Sequence, residues 1–341
     1  MFSIKVPLRE AEGVKEKLVS NKLLNQSFQI ERDTTHVFFP INDKADAARL
    51  LPKFVIVDRQ LPLRESSPSL SELLAEELTE KELDEVVKSF DLIGSIAIIC
   101  VPEELSAKEQ QIAEAIIKVN KNVKTILKRS GVYEGEFRTR KLKYVLGEDK
   151  RVTRHKEHGV WLDLDVEKVY FSPRSANERM RIAKLVENGE SVLVLFSGCA
   201  PYPLVIAKQS KAACIYGVEL NPVAHKFAQA NVLLNKAENV TLMLGDAKKA
   251  VPKISRRFDR VVMPLPKTGE LFLDVAIRSA KSRGILHFYD FANEKEFPAS
   301  SIAKIERVCT AIGCKYNILK SVKCGAYAPY VFRVCIDFQI V

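Results

Sequence analysis

A doubly wound α/β sheet closed by a terminal β-hairpin is what this sequence predicts, on three observations. Between residues 191 and 222 an apolar run, a glycine turn, an apolar helical pattern and a second apolar run tipped by Glu219 follow one another. Apolar runs and helical patterns then alternate as far as Gly313. Beyond it, 316–322 and 330–338 read as two strands with no helix between them. Apolar runs that lack polar alternation predict strands covered on both faces, as in a parallel sheet.

The chain is 341 residues long, 47% hydrophobic and 28% charged, which bounds it to two or three domains of ordinary globular protein. The N-terminal MFSIKVPLRE carries charge where a signal peptide needs an apolar region, so a cytoplasmic protein is expected. The longest uncharged run, 191–207, is interrupted by Gly198, Pro201 and Pro203 and does not predict a membrane span. The seven cysteines form no CxxC pair, and the expectation is reduced core thiols with no metal. His155 and His158 lack a Cys or acid cluster to complete a ligand set. A monomer is expected by default, since no coiled-coil pattern is present. The net charge of +10 is concentrated: 118–156 holds thirteen Lys and Arg against four acids. Such a block is either the footprint of a polyanion or a solvated cationic face.

Taken in order, 1–57 predicts a small α/β module with strands at 2–8, 28–30 and 36–40 and a helix over 10–20. Residues 58–68, polar and proline-bearing, predict a linker. A middle α+β domain is expected over 69–168. It opens on an acidic helix behind a Ser69/Glu72 capping box and continues with a strand over 93–101. A second helix follows a Ser106/Glu109 box, and strands are expected at 123–127, 137–147 and 160–164. The last domain, 169–341, begins with a helix over 175–187. It then carries strands at 192–196, 214–218, 240–244, 258–263 and 284–289, with helices after Pro203 and Pro222 and over 268–281 and 299–312. Gly313 is placed to cap the last helix in the αL conformation.

Glu219 lies 21 positions after Gly198, a spacing that lets a strand-tip carboxylate reach a ribose diol. The turn itself is not GxGxxG: only Gly198 is present, and Pro201 and Pro203 remove two of the N–H groups that a pyrophosphate needs. S-adenosylmethionine has no phosphate and is the cofactor expected there. Asp246, after the next strand, is placed to accept from an adenine amino group, or to cap the helix that follows. Pro264-Leu265-Pro266 closes the fourth strand with fixed φ angles and free carbonyls, or simply terminates it. Five β/α units and a terminal hairpin match the seven-stranded, Rossmann-like class I methyltransferase sheet. A nicotinamide oxidoreductase is disfavoured by the lone glycine and the hairpin.

Several stretches carry a more specific likeness: SFDLIGSIAII, KNVKTILKRSGVYEGEFRTRKL, HKEHG, VYFSPRSANER and ELNP. In that order they resemble the archaeal and eukaryotic tRNA (guanine-37-N1)-methyltransferase family over nearly the whole chain. The resemblance implies an N-terminal tRNA-contacting module, a middle RNA-binding domain and a catalytic domain that methylates N1 of the guanosine 3′ to the anticodon. It implies Glu178 as general base and Arg138 beside the guanine O6. Tyr170, Arg179, Gly198, Glu219, Leu220, Asp246, Ala247 and Pro264 would then lie at the cofactor. Arg138, Arg140, Lys141, Arg174, Pro264 and Pro266 would face the tRNA. The chemistry asks for such groups, because guanine N1 carries a proton at neutral pH and charge builds toward O6 when it leaves.

Two positions depart from the family pattern: Val194 stands where it has an acid, and Pro264 where it has an asparagine. Ser175-x-x-Glu178 also reads as a capping box, in which Glu178 would merely satisfy a backbone N–H. Other functions open on this fold are a wyosine-pathway tRNA aminocarboxypropyl transferase, a wyosine-precursor methyltransferase, and a tRNA-binding protein without catalysis.

Overall fold

Leu61 is buried, and that apolar anchor decides where the first part of the chain ends. The structure, a computed structural model, describes all residues except 65–67, 76 and 89. The described chain forms two units, Met1–Ser69 and Leu70–Val341. In the first unit, β1 (Phe2–Pro7), α1 (Ala11–Ser20), β2 (Glu31–Arg32), β3 (His36–Pro40), α2 (Lys44–Leu50) and β4 (Val55–Asp58) follow in order. The antiparallel sheet runs β2-β3-β1-β4, and Ile4, Val6 and Phe39 pack beneath α1 residues Val14 and Leu18. The strand expected at 28–30 is reduced to a bridge between Phe28 and Leu63, while α2 and β4 were not foreseen. The expected linker is corrected as well. Asp58 ends β4, and Arg64 N–H donates to Ser27 O, so 58–64 returns to this unit, and 65–67 lie outside the described residues.

The second unit opens with α3 (Leu70–Leu74) and α4 (Glu80–Lys88). The single acidic helix expected here, which spans residues 76 and 89, is broken where Thr79 and Glu82 make a reciprocal cap. The strand expected over 93–101 is a hairpin instead, β5 (Asp91–Ile93) and β6 (Ile96–Ile99), turned at Gly94 with φ +57°. Next come α5 (Glu109–Val119), β7 (Thr125–Glu134) and β8 (Thr139–Gly147), giving a sheet β5-β6-β7-β8 with α5 on one face. Ser106 does not cap α5; a 3-10 turn over Glu103–Lys108 leads into it. An unforeseen strand, β9 (Val152–Glu157), pairs with β10 (Val160–Asp165).

The remaining elements are α6 (Ala176–Leu185), β11 (Ser191–Leu195), α7 (Pro201–Gln209), β12 (Cys214–Glu219), α8 (Pro222–Leu234) and β13 (Val240–Leu244). After them come α9 (Ala247–Ala250), β14 (Phe258–Met263), α10 (Leu273–Ser279), β15 (Ala280–Asn293), α11 (Ala299–Ile312), β16 (Tyr316–Ala328) and β17 (Val331–Ile340). Seven strands order as β13-β12-β11-β14-β15-β17-β16, with β17 antiparallel to both neighbours. This is the doubly wound sheet with a terminal hairpin that the sequence predicts. Alternation along β11 shows why an unbroken apolar run is needed: Val192 and Val194 join one core and Leu193 and Leu195 the other. The strand C-termini of β11 to β15 share one edge, where open α/β sheets bind ligands.

Candidate active site

The turn after β11 is held in an uncommon backbone. Phe196, Gly198 and Ala200 have φ of +56°, +57° and +70°, a conformation that only glycine adopts without cost. The strand-tip acid locks it: Glu219 Oε2 accepts the Gly198 N–H at 2.7 Å and Oε1 the Asn221 N–H at 2.8 Å. Burial pushes the Glu219 carboxyl above its ordinary value, against the pull of these N–H groups. Asn221 caps α8 through Val223 and Ala224, with Leu220 linking it to Glu219. Asp246 caps α9 by accepting the Lys248 N–H at 2.8 Å, so the capping reading of this residue is realised. Ala247, buried, is the first residue of that helix. Pro264 and buried Pro266 follow β14, and the Leu265 N–H turns back to Met263 O.

The donor set suits a cofactor without phosphate. Gly198 N–H is committed to Glu219, Ala200 N–H to Ser197 O, and Pro201 and Pro203 have none. Two carboxylates at successive strand tips, Glu219 and Asp246, are acceptors for hydroxyl and amino groups. Val194 is fully buried among Cys199, Tyr202 and Tyr289, so the family's acid is replaced by core packing.

Glu178 sits on the first turn of α6, 6% exposed. It does not complete a capping box. Ser175 makes no side-chain cap and instead accepts from Arg333 Nη1 at 2.6 Å. The Glu178 carboxylate accepts from Arg181 Nε at 2.9 Å and Nη2 at 2.7 Å, and from the Tyr289 hydroxyl at 2.6 Å. Tyr202, on the first turn of α7, donates to Tyr289 at 3.1 Å, which joins the carboxylate to the helix that follows the β11 turn. On its other side Arg181 bonds Asp337, Asp337 bonds His287 Nδ1, and His287 Nε2 meets Arg260 Nη1 at 2.8 Å. A guanidinium only donates, so Nε2 accepts, and the ring is neutral with its proton on Nδ1. Burial lowers His287 accordingly. Burial alone would raise Asp337, yet His287 and Arg181 hold it well below the usual carboxylate range. Tyr289, Arg181, Asp337 and His287 were missed in the sequence. Only the i, i+3 spacing of Glu178 and Arg181 signalled any part of this network.

The other expected residues divide between the two sheets. Arg138, at φ +51° in the turn between β7 and β8, stands over the Tyr170 ring at 5.6 Å, and Tyr170 O lies against Gly198. Arg138, Tyr170, Gly198 and Glu219 are thus one neighbourhood. Arg138 and Arg140 line a cleft with Asp91 and Phe171, and Lys141 is exposed on β8. Arg174 is paired with Asp91 at 2.6 Å, which also holds Arg129. Arg179 lies beside the turn after β11, its guanidinium 5.9 Å from the Tyr202 ring and 5.1 Å from the Phe171 ring. It is 3% exposed, forked onto Glu157 at 2.6 and 2.5 Å, and bonded to Ser172 O. Its charge lies close enough to Cys199 to oppose the burial that raises that thiol.

Among the described residues, His287, Cys335 and Asp337 are the group whose ligand atoms lie close enough to share a metal. Both imidazole nitrogens are engaged, however, and Cys335 Sγ donates to Asp337 at 3.2 Å.

Comparison with known proteins agrees with this geometry. The TRM5/TYW2 methyltransferase domain model matches residues 153–319, the TYW2 N-terminal domain 70–150 and the tRNA methyltransferase 5 N-terminal domain 3–49. The tRNA (guanine(37)-N(1))-methyltransferase Trm5b of Pyrococcus abyssi is 35% identical over 99% of both chains. The tRNA(Phe) (4-demethylwyosine(37)-C(7)) aminocarboxypropyltransferase of Pyrococcus horikoshii is 32% identical over 80% of this chain and 96% of its own. A solved complex of aTrm5 with tRNALeu superposes at a TM-score of 0.70, with 28% identity and full coverage of both chains. With a full-length relative at this identity, the chain belongs to the TRM5/TYW2 methyltransferase family.

Proposed function

We propose that this protein transfers the methyl group of S-adenosylmethionine to N1 of guanosine 37 in tRNA. The observation that carries the reading is Glu178, whose carboxylate is turned away from the helix backbone and aimed by Arg181 and Tyr289. Glu219 and Asp246 would take the ribose and adenine ends of the cofactor, which supplies an electrophilic methyl group when bound. Glu178 takes the N1 proton, and Arg138, held over the Tyr170 ring, stabilises the negative charge that moves to O6. Pro264 and Pro266, rigid after β14, offer carbonyls to the guanine edge. The basic strands β7 and β8, with Arg140 and Lys141, serve the phosphates, and residues 3–49 a second part of the tRNA. The same reading makes the protein a metal-free cytoplasmic monomer; no helix among the described residues is long and apolar enough to cross a membrane.

The experiment is transfer from labelled cofactor to unmodified tRNA, followed by nucleoside analysis. N1-methylguanosine is expected. An aminocarboxypropyl product would favour the second reading, toward which the TYW2-type match over 70–150 points. Glu178→Gln should lower kcat about a hundredfold to ten-thousandfold while cofactor affinity stays within twofold. Unchanged turnover would remove Glu178 from the base role.

A further inference from the structure

The terminal hairpin carries side chains that this reaction leaves unassigned. β15 is parallel to β14, so residues 291–293 lie on the same sheet edge as Gly198, Glu219 and Pro264. β17 runs back from that edge and β16 toward it, which puts the turn at 329–330 there too. Side chains alternate along β15, so His287, Tyr289 and Phe291 share the face on which Tyr289 bonds Glu178. Phe291 stands one pleat, about 7 Å, nearer the edge. Its ring is stacked on Tyr327 of β16, with centroids 4.0 Å apart and an interplanar angle of 29°. Tyr327 is 63% and Tyr330 74% exposed, so neither ring is needed to fill a core. Arg333 is directly opposite Phe291 in the β15–β17 ladder and so on its face, where its Nη1 donates to Ser175 Oγ and its Nη2 to Cys324 O.

Stacked aromatics open to solvent are suited to an unpaired base, because every base offers a π-face. An RNA loop delivered to Glu178 must pass this edge.

Resting on the proposed reaction, we infer that the Phe291–Tyr327 stack, with Tyr330, is a platform for the unpaired nucleotide next to the target guanosine. It holds that neighbour while guanosine 37 is presented to Glu178. The full-length protein is titrated into tRNA carrying 2-aminopurine on either side of guanosine 37. Quenching at one of these positions is expected with the wild type and Tyr327→Phe, and its loss with Tyr327→Ala. The tRNA KM should rise about fivefold to a hundredfold in Tyr327→Ala, with cofactor affinity and thermal unfolding unchanged. Unaltered quenching and KM in Tyr327→Ala and in the Tyr327→Ala/Tyr330→Ala double variant would overturn the platform. So would a Tyr327-dependent dimer in sedimentation with tRNA binding intact. Absence of N1-methylguanosine from the wild type would overturn the proposed reaction instead, and the titration, which needs no turnover, would still decide the platform.

Discussion

Arg181 is the residue on which the buried charges depend. It is the shared cation of Glu178 and Asp337, whose side chains are 7% and 5% exposed. Removing one member of such a set leaves the others charged and desolvated, which costs about 3–5 kcal/mol. Arg181→Met should therefore lower unfolding stability by that order in chemical denaturation; a loss under 1 kcal/mol would mean that the pair is solvent-relaxed. At Ala200 the sign is reversed. An L-residue at φ +70° stores about 1–2 kcal/mol that glycine does not, less glycine's extra unfolded-state entropy. Ala200→Gly is expected to raise the melting temperature by a few degrees, read by calorimetry.

At the scale of elements, α8 is tied to its neighbours by asparagines. Asn231 Oδ1 accepts the Asp163 N–H, and its Nδ2 donates to Asp163 O and Cys199 O, while Asn235 repeats the pairing with Trp161 one turn on. Two side chains four residues apart thus act as a strand partner for β10 and reach the turn after β11. Asn231→Ala removes three hydrogen bonds, one buried and two part-buried, each worth about 0.5–1.5 kcal/mol. The expected result is a stability loss of about 2–4 kcal/mol, with weaker cofactor binding by calorimetry because the Cys199 carbonyl is released. A C-terminal device needs no such long reach: Gly313 at φ +67° ends α11, with the Cys314 N–H bonded to Cys309 O.

Across the whole molecule, one buried chain of contacts runs from Tyr202 through Tyr289, Glu178, Arg181, Asp337 and His287 to Arg260 and Glu190. Its titration sets an acid limit. The folded-state value of His287 is depressed, so the unfolded chain binds the proton first, and stability should start to fall as pH drops below about 6.5. Asp337 is also depressed; its contribution is present above about 3.9 and is lost as pH falls toward its folded value. Denaturant midpoints measured from pH 7 to 3 should therefore decline in two stages, and His287→Gln should flatten the upper one. A flat wild-type profile down to pH 5 would contradict the neutral, buried assignment of His287.

The seven-stranded sheet and the αL cap at Gly313 were legible in the sequence, because apolar period and turn chemistry are local properties. The hairpin at Gly94, the break at Thr79 and the buried anchor at Leu61 were not, since packing decided them against an equally good local pattern. Glu178 shows the division most clearly. Its sequence neighbourhood supports a capping box as well as a base, and the two differ in which groups approach the carboxylate. Those groups come from afar: Tyr289 is 111 residues away, and Asp337 reaches Arg181 across 156. Only the tertiary structure brings them together, because hydrogen-bond partners are chosen by proximity in space and not by order in the chain.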